Sequence, residues 1–123
     1  MKSAVNKLCE LLTADVNIPV FDHTFPDGFT SACIVVSEAS FNEDSGEGEY
    51  HVNIYAPNKP RVLDEVTDSS YPDMETLEAQ ADGILTICRD LWVPEFSGWA
   101  HKRQLIKEGN MHYLNICLTI QFN

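Results

Sequence analysis

Residues 49–58, Glu49-Tyr50-His51-Val52-Asn53-Ile54-Tyr55-Ala56-Pro57-Asn58, are the stretch whose reading decides the fold. Tyr50, Val52 and Ile54 fall on one face and His51, Asn53 and Tyr55 on the other, the period of two that marks a strand with one side against a core. Pro57 cannot donate to a ladder and Asn58 favours a turn, so the strand stops there. A strand with so clean an apolar face belongs near the centre of a sheet that helices cover.

The chain before it supplies neighbours for that strand. Residues 39–48 (ASFNEDSGEG) read as a flexible, polar hairpin connection carrying Glu43, Asp44 and Glu47. Residues 31–38 form a second strand whose Cys33-Ile34-Val35-Val36 run is apolar on both faces, as a covered, central strand requires. Residues 18–23 form a shorter strand, marked as an edge by Pro19. It is followed by a Pro26-Asp27-Gly28 turn that Phe25 and Phe29 clamp locally. Three strands joined by turn-rich links predict an antiparallel meander. Ahead of them, the stripe of Val5, Leu8, Cys9 and Leu12 predicts a helix from Lys2 to about Thr13, with Ser3 as N-cap.

The chain after it begins with an arm. Residues 58–72 combine two prolines and several acids with Val62, Leu63, Val66 and Tyr71. The composition is that of a flexible segment, and the interspersed apolar residues suit docking on a partner. Residues 73–92 then read as the main helix, with Asp73 as N-cap and Met74, Leu77, Ala81, Ile84, Leu85, Cys88, Leu91 and Trp92 at spacings of three and four. Gly83 within it suggests a close approach to the sheet. Residues 95–99 (EFSGW) read as a loop. Residues 100–108 and 112–122 form a closing hairpin around Gly109, which suits the first central position of a type II′ turn.

The order α-β-β-β-α-β-β predicts a single α+β domain over residues 1–123: a three-stranded meander plus a C-terminal hairpin in one antiparallel sheet, with both helices on one face. The opposite face carries His51, Asn53, Tyr55, Tyr113, Asn115, Thr119 and Gln121. Such a semi-polar face serves either as solvent surface or as a subunit contact.

Composition narrows the function by exclusion. Eight Lys plus Arg against 19 Asp plus Glu give a net charge of −11, the wrong sign for holding nucleic acid. No apolar run spans a bilayer and no signal-peptide pattern opens the chain, so a soluble, cytoplasmic protein is expected. Cys9, Cys33, Cys88 and Cys117 are scattered without CxxC spacing and read as small buried hydrophobes. His23, His51, His101 and His112 show no HxH or HxxxH pattern. His101 and His112 alone fall near-opposite across the last hairpin, where ordinary strand histidines are the simpler reading. There is no nucleophile elbow, phosphate loop or carboxylate pair with an implied pocket, so no enzyme, cofactor or metal site is expected.

With residues 52–57 reading Val-Asn-Ile-Tyr-Ala-Pro, a long arm after them, and a helix carrying Ala81, Ile84, Leu85 and Leu91, the chain resembles the tail-completion, or tail-terminator, proteins of long-tailed phages and prophages. The resemblance covers nearly the whole chain as architecture, through a short motif. It implies a structural, ring-forming homo-oligomer, a hexamer, that caps the tail tube and joins it to the head connector. DNA would pass through the ring without being bound. It implies assembly in the cytoplasm and a final place in the virion tail. On that reading Glu43, Asp44 and Glu47 face the lumen and repel phosphate, while His51, Asn53, Tyr55, Val62, Leu63 and Tyr71 contact a neighbouring subunit or the tube. The alternative is a small acidic binding module that inhibits a basic partner protein, a stable monomer whose complex weakens steeply with salt.

Overall fold

The computed structural model describes residues 3–123. Its elements are α1 (Val5–Thr13), β1 (Val20–Asp22), β2 (Cys33–Asn42), β3 (Glu47–Pro57), β4 (Arg61–Leu63), β5 (Val66–Asp68), α2 (Met74–Cys88), β6 (Leu91–Trp92), β7 (Phe96–Glu108) and β8 (Met111–Phe122). Six strands form a mixed sheet in the order β1-β2-β3-β8-β7-β6, and β4 and β5 make a separate two-stranded ladder. The α+β class holds, with the residue 49–58 strand near the middle of the main sheet.

The alternating faces of β3 and β8 explain the core. Tyr50, Val52 and Ile54 stand opposite Leu118, Ile116 and Leu114. All six are buried with Val5, Leu8 and Leu12 of α1 and Leu77, Ala81, Ile84 and Cys88 of α2. Both helices therefore cover the same face. At about 1.5–3 kcal/mol for each large apolar side chain removed from water, this layer is the main source of stability. Tyr50 brings a polar atom into it. Its hydroxyl donates to Glu38 Oε1 at 2.8 Å and accepts from the Ala4 amide at 3.1 Å, tying the start of α1 to the sheet.

Several boundaries differ from the sequence reading, each for a tertiary reason. The meander is not wholly antiparallel: β1 runs parallel to β2, with Val20 beside Ile34 and Asp22 beside Val36. A tight hairpin cannot join parallel strands. Residues 23–32 instead cross over the sheet, and Phe25 and Phe29 bury themselves against Cys33, Val35 and Tyr55 on the face away from the helices. Helix α1 starts at Val5 after Ala4, without a side-chain cap. Ser3 Oγ accepts from the Val5 amide at 3.3 Å, and Lys2 lies outside the described residues.

Helix α2 ends at Cys88, four residues before the expected stop. Leu91 and Trp92 have the right spacing for the helix but pair instead with Gly98 and Ser97, so the expected loop at 95–99 is mostly the start of β7. The Asp73 cap is as read, with Oδ1 accepting from the Thr76 amide at 3.1 Å. Gly83 makes no close approach: a Cβ there would meet nothing within 4 Å. The close approach belongs to Gly98, where a Cβ would lie 2.5 Å from Ile120 Cδ1 and 2.7 Å from the Thr119 carbonyl oxygen.

The flexible connection read over 39–48 is mostly ladder. Strands β2 and β3 run on to Asn42 and Glu47 through an irregularity between Glu38 and Ser40, leaving residues 43–46 as the turn. The last hairpin turns at Gly109 with φ +58°, and Asn110 is not in the positive-φ region, which agrees with type II′.

Candidate interaction surfaces

Two features project from opposite ends of the sheet. At one end, residues 43–46 form the β2–β3 tip. Asn42 Oδ1 accepts from the amides of Asp44 and Ser45 at 3.0 and 3.2 Å, an Asx-type turn that shapes the tip without apolar support. The tip is tied to the end of β8, because Gln121 Nε2 donates to the Ser45 carbonyl at 2.8 Å. Glu43, Asp44 and Glu47 are all exposed here, so the structure does bring the three acids together.

At the other end stands the β4–β5 hairpin. The segment read as an arm is a ladder closed by Asp64 and Glu65, both at positive φ as in a type I′ turn. Asp tolerates that conformation better than Glu does. The base is stitched by several polar contacts. Lys59 donates its amide to the Tyr71 carbonyl at 2.9 Å, Asn58 Nδ2 donates to the Ser69 carbonyl at 3.2 Å, and Arg61 Nε meets Asp68 Oδ2 at 3.1 Å. The Arg61 guanidinium also lies 3.9 Å from the centre of the Tyr71 ring. The Ser70 hydroxyl and amide, and then Arg61, hold the Asp68 carboxyl down at about 2.

This hairpin contributes nothing to the buried core, yet it displays apolar side chains: Val62 is 70% exposed, Val66 66% and Leu63 51%. Since β3 is 11 residues long, the acidic tip and this hairpin stand roughly 35 Å apart at about 3.3 Å per residue.

The face away from the helices is not one uniform surface. Near β1, Tyr55 is only 8% exposed, its ring 5.0 Å from that of Phe25 and 4.6 Å from that of Tyr113. It was expected to touch a neighbouring subunit, but the 23–32 crossover covers it. Burial, and then Glu108 and Tyr113, push its hydroxyl up to about 12. His51 and Asn53 remain half-buried, and Asn53 Oδ1 accepts from Asn115 Nδ2 at 2.6 Å. Toward β6 the same face carries Trp92, 76% exposed, and Trp99, 46% exposed. The sequence reading placed Trp92 in the helix stripe and Trp99 in a loop, so their shared face was not visible before the β6–β7 pairing.

The histidines do not gather as a pair. His112 stands opposite Lys107, buried, with Nδ1 2.6 Å from Asn58 Oδ1. His101 is the extra residue where the register shifts between Ala100 and Lys102, well along the strand from His112. Arg103 forms an ion pair with Glu78 of α2. All four cysteines are free, and burial alone pushes the Cys88 thiol up to about 12, as befits an unreactive core group. Cys117 is raised by burial and by Glu49, with Lys102 opposing. Glu49, His51 and Cys117 offer ligand atoms that all lie within 4.8 Å of one another. No spacing in the sequence marks this trio, because two of its members are on β3 and the third is more than sixty positions on.

Compared with known proteins, the chain matches no family model and no curated sequence. No helix among the described residues is long and apolar enough to cross a membrane.

Proposed function

We propose that this chain is a structural, ring-forming subunit of the tail-terminator kind, which caps a tail tube and joins it to a head connector. The observation that carries the reading is the β4–β5 hairpin. It is a shaped projection, stitched at its base, whose apolar side chains Val62, Leu63 and Val66 are largely exposed. Burying the exposed parts of Val62, Leu63 and Val66 on a neighbouring subunit stabilises a contact by about 3–5 kcal/mol, before the cost of association is counted.

The second support is polarity. The acidic tip lies at the far end of the sheet from this hairpin, so a ring closed through the hairpins is free to turn Glu43, Asp44 and Glu47 toward its hole. There the acids repel passing DNA. The half-buried His51 and Asn53 add to the subunit contact, whereas Tyr55 belongs to the fold.

Light scattering coupled to size exclusion, over a range of protein concentrations and with tube protein added, tests the reading. A sixfold mass for the natural chain is expected, together with its loss in a Val62→Asp, Val66→Asp variant whose circular dichroism is unchanged. A strict monomer under every condition, tube protein included, overturns it. A monomer that instead binds a basic protein with steep salt dependence returns the acidic binding module.

A further inference from the structure

We propose that Glu49, His51 and Cys117 form a binding site for a divalent transition metal ion of the zinc class. The sheet itself sets the geometry. Glu49 and His51 are two apart on β3 and so project from the same face, and Cys117 is the register partner of His51 on β8. Side chains at directly opposed positions start from Cβ atoms about 4.5–5.5 Å apart. Here the imidazole, thiol and carboxylate all converge to within 4.8 Å.

A tetrahedral ion with bonds of about 2.0 Å to nitrogen and oxygen and 2.3 Å to sulfur needs its ligand atoms about 3.3–3.6 Å apart. Closing that difference calls on side-chain rotation at the three ligands. One sulfur, one nitrogen and one oxygen favour zinc, cobalt or nickel over calcium or magnesium, which prefer all-oxygen shells.

The surroundings support the assignment. Cys117 is buried, and its thiol donates to Asn115 Oδ1 at 3.2 Å, a bond given up when the proton leaves and the thiolate takes the ion. On the open side, Glu49 borders a groove of about 470 Å³ that Thr119 and His101 also line. A thiolate and a carboxylate together neutralise a dication. Lys102, the β7 neighbour of Cys117, opposes it and is exposed to solvent.

Cobalt(II) titration of the full-length, tag-free protein in the reduced state tests the site, because a thiolate bound to cobalt gives a near-ultraviolet charge-transfer band and tetrahedral cobalt gives intense visible bands. One equivalent is expected to bind with both signals, and zinc is expected to displace it. Cys117→Ser should abolish the charge-transfer band. His51→Gln should weaken binding by at least about tenfold, and it perturbs only a half-buried position should the cysteine variant fail to fold. Cys9→Ser should change nothing. No band in the natural protein, a band that survives Cys117→Ser, or one lost in Cys9→Ser overturns the proposal. All three ligands belong to one chain, so the Val62→Asp, Val66→Asp variant kept from assembling should give the same titration.

Discussion

Removing a single oxygen atom from Tyr50 should destabilise the fold without opening a cavity. The ring is fully buried, and Phe keeps its volume. Tyr50→Phe removes the 2.8 Å bond to the Glu38 carboxylate and the 3.1 Å bond from the Ala4 amide. Glu38 is half-buried and regains water, so its share of the loss is at the low end of the roughly 1.5–3 kcal/mol for a bond to a charged group. Ala4 is completely buried, and its orphaned N–H adds about 1–3 kcal/mol. We expect a total of about 2.5–4.5 kcal/mol. In a chain of 123 residues this lowers the melting temperature by about 10–18 °C.

Urea denaturation at fixed protein concentration measures the loss, and amide exchange at Ala4 and Val5 locates it. Glu38→Gln keeps an acceptor oxygen and should cost less than about 1 kcal/mol. A Tyr50→Phe loss below about 0.5 kcal/mol, with Ala4 exchange unchanged, would refute the reasoning, because α1 would then be anchored by apolar packing alone.

Two glycines should respond with opposite signs. Gly98→Ala forces a methyl to within 2.7 Å of the Thr119 carbonyl oxygen, a backbone atom that cannot swing aside; a loss of about 1–3 kcal/mol in chemical denaturation is expected. Gly83→Ala places its methyl in open space on an exposed helix position, so a gain of about 0.5–1 kcal/mol is expected in the same assay. Asp68 gives a pH test for the hairpin. Its carboxyl is depressed to about 2 by Ser70 and Arg61, so its contribution is complete above the ordinary carboxylate range near 4 and is lost as pH falls toward 2. Carbon-detected NMR titration of Asp68 with the Ser70 amide should show one shared midpoint near 2, whereas a midpoint near 4 would mean that the hairpin base is not stitched as described.

Where a residue's environment is set by its near neighbours in sequence, the chain was legible. The period of two in residues 50–54 and 114–120 selected the core face, and Asp73 capped its helix as its position required. The type II′ turn at Gly109 followed from the residue type alone. These are local constraints, and local chemistry satisfies them.

Choices between two locally acceptable states needed the tertiary structure. Leu91 and Trp92 fit a helix stripe, but strand pairing with Gly98 and Ser97 won, because those residues offer a free edge that extending the helix would waste. Val20 to Asp22 is equally good as a parallel or an antiparallel strand. The parallel pairing follows from burying Phe25 and Phe29 on Tyr55, a contact no local pattern announces. The cross-strand meeting of His51 with Cys117 likewise comes from the β3–β8 register, which is fixed by the whole apolar face at once. By itself the sequence determined the class of fold, the acid balance and which side of residues 49–58 is buried. Only the tertiary structure decided what covers the other side, because that depends on distant segments competing for the same sheet.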